Sequence, residues 1–171
     1  MGSRLLVFCP RRYCKAVTEV TVADLREMQI DTVLLDLDNT LVGWQRHDVP
    51  VPIRQWLLEL KEAGMRLCLI SNTHFGRRLR ALSSELDIPY IRRAWKPRKQ
   101  GFLRAMKDLG AVPDKTVMVG DQMFTDVLGA NRVGIYSIMV RPMFRREFIG
   151  TKVSRMAEAI LIRWFRKRGY M

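Results

Sequence analysis

Short apolar runs alternate with segments of helical periodicity along most of this chain, and this alternation restricts the fold more than any other feature. The longest runs lie at residues 33–37, 65–71, 115–121 and 135–140. Strands that are separated by helices do not pair as hairpins, so they pair in parallel through right-handed crossovers. The sequence therefore predicts an α/β fold, a three-layer α/β/α Rossmann-like sandwich with a mainly parallel sheet.

Helical spacing and capping residues predict the other elements. "VPIRQWLLELKEAG" has apolar residues at helical spacing and ends in glycine, and a capping pattern at Thr21 and Asp24 begins a short helix. The further predicted elements are helices over 75–86, 98–109 and 124–132, a strand near 90–91, and a helix from Val153. We expect residues 1–150 to form one domain, with 151–171 as a basic amphipathic helix.

The charge balance indicates the kind of partner. Lys and Arg outnumber Asp and Glu by 30 to 17 in 171 residues, a formal net charge of +13. Such a protein attracts polyanions, which include nucleic acid, anionic lipid surfaces and phosphorylated substrates. The three cysteines have no metal-ligand spacing and suit free thiols in a reducing compartment.

No apolar run approaches the roughly 20 residues that a membrane-spanning helix needs. We therefore expect a cytoplasmic protein, either free or resting on the inner face of a membrane. The basic stretch that precedes Glu19 leaves a targeting segment open. The oligomeric state is not indicated by the sequence.

Polar side chains stand at the predicted carboxyl ends of three strands. Asp36 and Asp38 end the first long run, Ser71 and Asn72 the second, and Asp121 the third. These ends share one edge of a parallel sheet, where ligands bind beside the point at which strand order reverses. A single such residue is commonly a turn or a helix cap, but three positions together favour a binding site.

The two aspartates separated by one residue suit phosphoryl transfer. One carboxylate can attack phosphorus, while the second protonates the leaving oxygen and later activates water. A Mg²⁺ ion fits the surplus of negative charge, because it prefers hard oxygen ligands. Lys96 and the Ser71 hydroxyl are candidates to hold the phosphoryl oxygens.

Four motifs in this order resemble those of the haloacid dehalogenase-like (HAD) phosphatases. They are "DLDNT" at 36–40, "LISN" at 69–72, "AWKP" at 94–97 and "VMVGDQMFTD" at 117–126. The resemblance implies hydrolysis through an aspartyl-phosphate with Mg²⁺ as the cofactor. It implies that Asp36 is the nucleophile, that Asp38 is the general acid/base, and that Thr40 orients this acid and its loop beside the phosphate. Phosphate binding is implied for Ser71, Asn72 and Lys96, and Mg²⁺ binding for Asp36, the Asp38 carbonyl and Asp121. For Asp126 the resemblance implies either a supporting acid or a helix cap.

Three segments resemble one branch of this superfamily in particular. "LDLDNTLVGW", "ISN" and "GDQMFTDVLGANRVG" are similar to the YqeG-type proteins of subfamily IIIA, which are related to the mitochondrial phosphatidylglycerophosphate phosphatases. Many relatives close the site with an inserted cap domain, but 30 residues separate Thr40 from Ser71, and a helix and a strand use most of them. We therefore expect no cap domain and an open site, which suits a phosphate carried on something large.

The expected substrate is phosphatidylglycerophosphate, because it presents a terminal monoester on an anionic membrane and so matches an open site on a basic protein. A soluble or protein-borne phosphate is the alternative within the same chemistry. A module that keeps the fold and binds RNA or a ribonucleoprotein would also explain the charge, although every catalytic position holds a competent residue.

The segment at 151–171 leaves two interpretations open. As a helix it places Met156, Ile160 and Trp164 at i, i+4 and i+8, with most of its basic residues toward the other side or the end. Such a helix either packs its apolar stripe on the sheet as part of the domain or rests on an anionic lipid surface.

Overall fold

A computed structural model of the protein describes residues 5–44, 46–74, 76–144 and 149–171, with the backbone alone for 149–153. The strands are β1 (Arg12–Cys14), β2 (Thr32–Leu35), β3 (Arg66–Ser71), β4 (Tyr90–Arg92), β5 (Thr116–Gly120) and β6 (Tyr136–Val140). They form one sheet in the order β1-β6-β5-β2-β3-β4, and every adjacent pair is parallel. The predicted Rossmann-like α/β sandwich is therefore confirmed.

Helices cover both faces of this sheet. They are α1 (Val22–Glu27), α2 (Val51–Glu62), α3 (Gly76–Leu86), α4 (Lys99–Asp108), α5 (Leu128–Val133) and α6 (Ile149–Lys167). Successive residues of a strand point to opposite faces. In β2, Val33 and Leu35 join the core cluster that contains α2 and α3, whereas Leu34 packs with Phe102 of α4. Because both faces are buried, polar side chains gather at the strand ends.

The expected absence of a cap domain is confirmed for the described residues. Between β2 and β3 the described chain forms a loop and α2, and between β3 and β4 its one helix is α3. Neither connection is long enough to fold as a layer of its own. The carboxyl edge of the sheet is therefore not enclosed by an inserted domain.

Two local features differ from the sequence prediction. β1, which the sequence did not predict, pairs in parallel with β6 at the edge of the sheet. It has only three residues, which are too few to show the alternation of apolar and polar side chains that marks a strand. The helix predicted over 124–132 begins as a π-helical turn, Met123–Val127, and continues as α5. Both features lie beside the site described below.

The C-terminal helix α6 packs against that π-helical turn. Phe165 is fully buried in a cluster with Met123 and Val127, while Met156 and Ile160 remain 71% and 66% exposed. The face of α6 that is buried therefore differs from the apolar stripe of Met156, Ile160 and Trp164 that the sequence indicated. Within the described ranges, no helix combines the length and the apolar character that crossing a membrane requires.

Candidate active site

The loop after β2 turns sharply at the carboxyl edge of the sheet. The Asp36 N–H still donates to the Val119 carbonyl of β5, at 2.9 Å, so this aspartate continues the line of the strand. Asn39 then adopts a left-handed backbone with φ 65°, a region that Asn tolerates better than most residues. The Val42 N–H closes the turn on the Leu37 carbonyl at 3.1 Å. The "DLDNT" motif is therefore a tight loop fixed to the sheet.

Lys96 lies between two carboxylates. Its Nζ is 2.5 Å from Asp36 Oδ1 and 2.7 Å from Asp126 Oδ1, and all three side chains are buried. Desolvation, opposed by Lys96 and reinforced by the charge of Asp126, raises the pKa of Asp36 to about 7. Burial alone would lower the pKa of Lys96, but the two carboxylates outweigh burial and raise it. Lys96 therefore stays protonated at neutral pH beside the predicted nucleophile.

Asn72 fixes the backbone of this lysine. Its side-chain amide donates to the Lys96 carbonyl at 2.9 Å, and its amide oxygen accepts the Lys96 N–H at 2.8 Å. Ser71, which is buried, accepts the Thr73 N–H at 3.1 Å. In this structure the side-chain nitrogen and oxygen of Asn72, which is predicted to bind phosphate, both form hydrogen bonds to the backbone of Lys96.

Asp121, at the end of β5, is fully buried and held by two donors. The Thr40 hydroxyl donates to its Oδ1 at 3.3 Å, and Arg155 of α6 pairs with its Oδ2 and also donates to its backbone carbonyl. Burial and the neighbouring charge of Asp36 raise the pKa of Asp121 well above its usual range, and Arg155 opposes this in part. Thr40 therefore contacts the predicted metal ligand.

Glu158 anchors Arg155 from the same helix. Its Oε2 accepts from Arg155 at 2.9 Å, and its Oε1 accepts the Met123 N–H at 2.8 Å. Burial raises the pKa of this carboxyl, although Arg155 and the Met123 N–H favour its ionised form. Through these two residues α6 reaches both Asp121 and the π-helical turn.

Asp126 contacts both the residue before that turn and the lysine. Its Oδ2 accepts the Gln122 N–H at 3.1 Å, while its Oδ1 faces Lys96. A β-carbon at Gly120 would overlap the Asp126 carboxylate, so only glycine leaves this space free. π-Helical turns occur frequently at functional sites. The two roles that the sequence left as alternatives for Asp126, a supporting acid and a helix cap, remain predictions.

Arg78 of α3 is a site residue that the sequence did not single out. It donates to Asp38 Oδ1 at 2.6 Å, to the Arg46 carbonyl at 2.6 Å and to the Gly43 carbonyl at 3.2 Å. These contacts fix the predicted general acid/base to the loop that follows it. Arg78 and Asp38 are 40 positions apart, and no local pattern marks the pair.

The described residues contain an acidic group that suits a metal ion. Carboxylate oxygens of Asp36, Asp121 and Asp126 lie within 4.8 Å of one another. Asp36 Oδ2 is buried, and among the described residues it has no hydrogen-bond partner. Lys96 and Arg155 form ion pairs with these three carboxylates, so one negative charge of the three remains for a divalent cation to offset. The residues present therefore fit Mg²⁺.

Contacts link most of the predicted site residues at this edge. Asp36, Asp126, Asn72 and Lys96 form one connected group, and Thr40 and Asp121 form a second. Asp36 and Asp121 belong both to the acidic group and to the Mg²⁺ ligands predicted from the sequence. The third member of the acidic group is Asp126, whereas the third predicted ligand is the Asp38 carbonyl. The roles assigned to these side chains remain predictions.

Comparisons with known proteins agree with this geometry. Residues 94–143 match the family model described as HAD-hydrolase-like. The probable phosphatase YqeG of Bacillus subtilis is 33% identical over 164 residues, which cover 96% of this chain and 95% of that protein. The chloroplastic/mitochondrial phosphatidylglycerophosphate phosphatase 1 of Arabidopsis thaliana is 30% identical over 86% of this chain, and the match spans 48% of its length.

A solved structure shows the same fold. The cobalt-bound deoxy-D-mannose-octulosonate 8-phosphate phosphatase of Haemophilus influenzae matches with a TM-score of 0.55 and 18% identity, over 66% of this chain and 69% of that one. The likeness to the Bacillus protein extends over nearly the full length of both chains. The chain therefore belongs to the haloacid dehalogenase-like hydrolases and is a phosphatase of that superfamily.

Proposed function

We propose that this phosphatase hydrolyses phosphomonoesters with Mg²⁺ through an aspartyl-phosphate on Asp36, and that phosphatidylglycerophosphate is its substrate. The contacts of Asp36 carry the chemical part of the proposal. Lys96 holds one oxygen of this carboxylate, while the other is buried without a hydrogen-bond partner among the described residues. An oxygen in that state is available to attack phosphorus.

The mechanism uses the two aspartates in sequence. Asp36 Oδ2 forms a bond to phosphorus as the bond to the ester oxygen breaks, and Asp38 donates its proton to that oxygen. Asp38 then takes a proton from water, which attacks the phosphorus of the aspartyl-phosphate and releases phosphate. Lys96 places positive charge beside the phosphoryl oxygens. Asp36, Asp121 and the Asp38 carbonyl would hold Mg²⁺, which would supply positive charge to offset phosphate and carboxylates together.

The choice of substrate rests on a relative, on the open connections of the fold and on the net charge. The Arabidopsis relative is named for phosphatidylglycerophosphate, the described connections form no cap, and the net charge is +13. An uncovered site on a basic protein suits a phosphate presented at an anionic lipid surface.

Phosphate release tests both parts of this proposal. We expect hydrolysis of p-nitrophenyl phosphate in Mg²⁺, none in EDTA, and recovery when Mg²⁺ is returned. Phosphatidylglycerophosphate in mixed micelles should be hydrolysed faster than nucleotides, sugar phosphates and phosphopeptides. Full activity in EDTA would contradict the mechanism, and a clear preference for a soluble monoester would contradict the substrate alone.

The outer face of α6 supports docking on an anionic membrane. Met156 and Ile160 are strongly exposed, and Arg163 and Lys167 follow them on the same side of the helix at one-turn spacing. Exposed apolar side chains beside cations suit a lipid headgroup layer, where each cation is worth about 1 kcal/mol.

Vesicle co-sedimentation measures this docking. We expect binding that rises with anionic lipid content, falls with salt, and weakens in the double variant Met156→Ser/Ile160→Ser. Leu103→Ser is the matched control, because Leu103 is also exposed but lies on α4. An equal loss in the control, or no loss in the double variant, would remove α6 from the docking surface.

A further inference from the structure

A large cavity opens beside the catalytic centre and has no part in the mechanism above. Its volume is about 830 Å³, far more than a phosphate group occupies and within the range of sites that hold organic ligands. The described residues around it come from the ends of β1 and β6, the start of α2, the loop after β2, and α6. The cavity therefore lies along the same carboxyl edge of the sheet as the catalytic residues.

Two residues belong to both the cavity and the catalytic centre. Thr40 and Arg155 line the cavity, and the same two side chains contact the carboxylate of Asp121. The cavity therefore adjoins the residues that hold Asp121, which makes it a candidate space for the rest of a molecule whose phosphate binds at Asp36.

Two further cations line the cavity. Lys15 follows β1 and Arg141 follows β6, and the Arg141 N–H donates to the Cys14 carbonyl at 3.0 Å, which holds these two strand ends together. Among the residues that the structure describes, neither side chain forms a salt bridge. Arg155 differs, because Asp121 and Glu158 already offset its charge. No acidic residue is among the described lining residues.

The remaining walls are largely apolar. Val17 and Ile53 are buried core residues that reach the cavity, and Met143 and Phe144 close another side. Apolar walls with a small number of charged groups are typical of sites that bind one class of small molecule. This combination suits an organic leaving group that carries its own negative charge.

We propose that Lys15 and Arg141 form a subsite for a second phosphate of the substrate, linked through a short organic spacer to the monoester that Asp36 attacks. The inference rests on the proposed function, because it requires the monoester to bind at Asp36. It makes these two cations specificity-determining residues: they bind the leaving group and take no part in bond breaking. The headgroup of phosphatidylglycerophosphate, with a phosphodiester besides its terminal monoester, has this chemistry.

Substrates that differ in the second phosphate test the subsite. Deacylated phosphatidylglycerophosphate carries both phosphates, whereas p-nitrophenyl phosphate carries one. We expect Lys15→Gln and Arg141→Gln each to lower kcat/KM for the two-phosphate substrate about tenfold, mainly through KM, and to lower it for the aryl phosphate by less than about threefold. Lys107→Gln is the control for net charge, since Lys107 is exposed on α4 and does not line the cavity.

Each outcome separates the subsite from the chemistry on which it rests. Equal losses on both substrates, or no selective loss, would overturn the subsite and leave the phosphatase mechanism in place. If the unmodified protein hydrolysed neither substrate in Mg²⁺, the proposed function would fail together with the subsite. Phosphatidylglycerophosphate and its deacylated form, compared in the same variants, show whether lipid or free headgroup is preferred. Thermal unfolding of each variant checks the fold, and Lys15→Gln alone suffices if Arg141→Gln does not fold.

Discussion

Replacing Asp36 by asparagine is expected to abolish hydrolysis of every phosphomonoester, with a loss in kcat of about 10⁴-fold or more. The amide oxygen still accepts a hydrogen bond from Lys96, so the local fold is preserved. It cannot serve as an anionic nucleophile, and no aspartyl-phosphate forms. Steady-state release of p-nitrophenol and trapping of the phosphorylated protein by acid quench both measure this change.

Two variants define the specificity of that result. Asp114→Asn, at an exposed position, should keep the activity of the unmodified protein. Asp38→Asn should lose more activity with an alkyl phosphate than with p-nitrophenyl phosphate, whose leaving group departs without protonation. Substantial turnover by Asp36→Asn would refute the nucleophile assignment, and equal losses on both esters would refute the acid role of Asp38.

Replacing Lys96 by methionine is expected to cost about 3–5 kcal/mol in the free energy of unfolding of the metal-free protein, together with most of the activity. The change leaves the buried carboxylates of Asp36 and Asp126 without the cation that both contact. Denaturant unfolding in EDTA measures the loss. Lys99→Met is the control, since Lys99 is exposed at the start of α4.

The loss should depend on pH. With its pKa raised to about 7, Asp36 binds a proton in the folded state over a range where the unfolded chain has released it. Ionisation of Asp36 therefore lowers the free energy of unfolding as pH rises from about 4 through 7. Below about pH 4 its carboxyl is protonated in the folded state and carries no buried charge. The difference between Lys96→Met and the unmodified protein should be smaller at pH 5 than at pH 8. A difference that is constant with pH would show that lost packing, and not charge, is the cause.

Apolar runs and capping residues predicted the strands and helix starts that depend on neighbouring residues in the chain. The apolar runs became β2, β3, β5 and β6, and the capping pattern at Thr21 formed as expected. The strand ends then brought Asp36, Ser71 and Asp121 to one edge, because a parallel sheet aligns its carboxyl ends. Residue type and spacing therefore sufficed for these elements.

Other features depend on contacts that no local pattern records. Arg78 and Arg155 resemble ordinary surface cations of helices, yet they pair with Asp38 and Asp121 across 40 and 34 positions. The buried face of α6 is similarly hidden, since apolar residues surround most of that helix and several faces are equally plausible. Here tertiary packing decided which side chains were buried.

The contacts of α6 have a consequence for the order in which the protein matures during translation. The ribosome synthesises Arg155 and Glu158 after all six strands, so the sheet can form on a nascent chain that still lacks them. Until α6 emerges and docks, Asp121 has no guanidinium partner from α6 and the Met123 N–H has no carboxylate. A sheet that folds on the ribosome therefore completes the contacts around Asp121 and the π-helical turn only after α6 has docked.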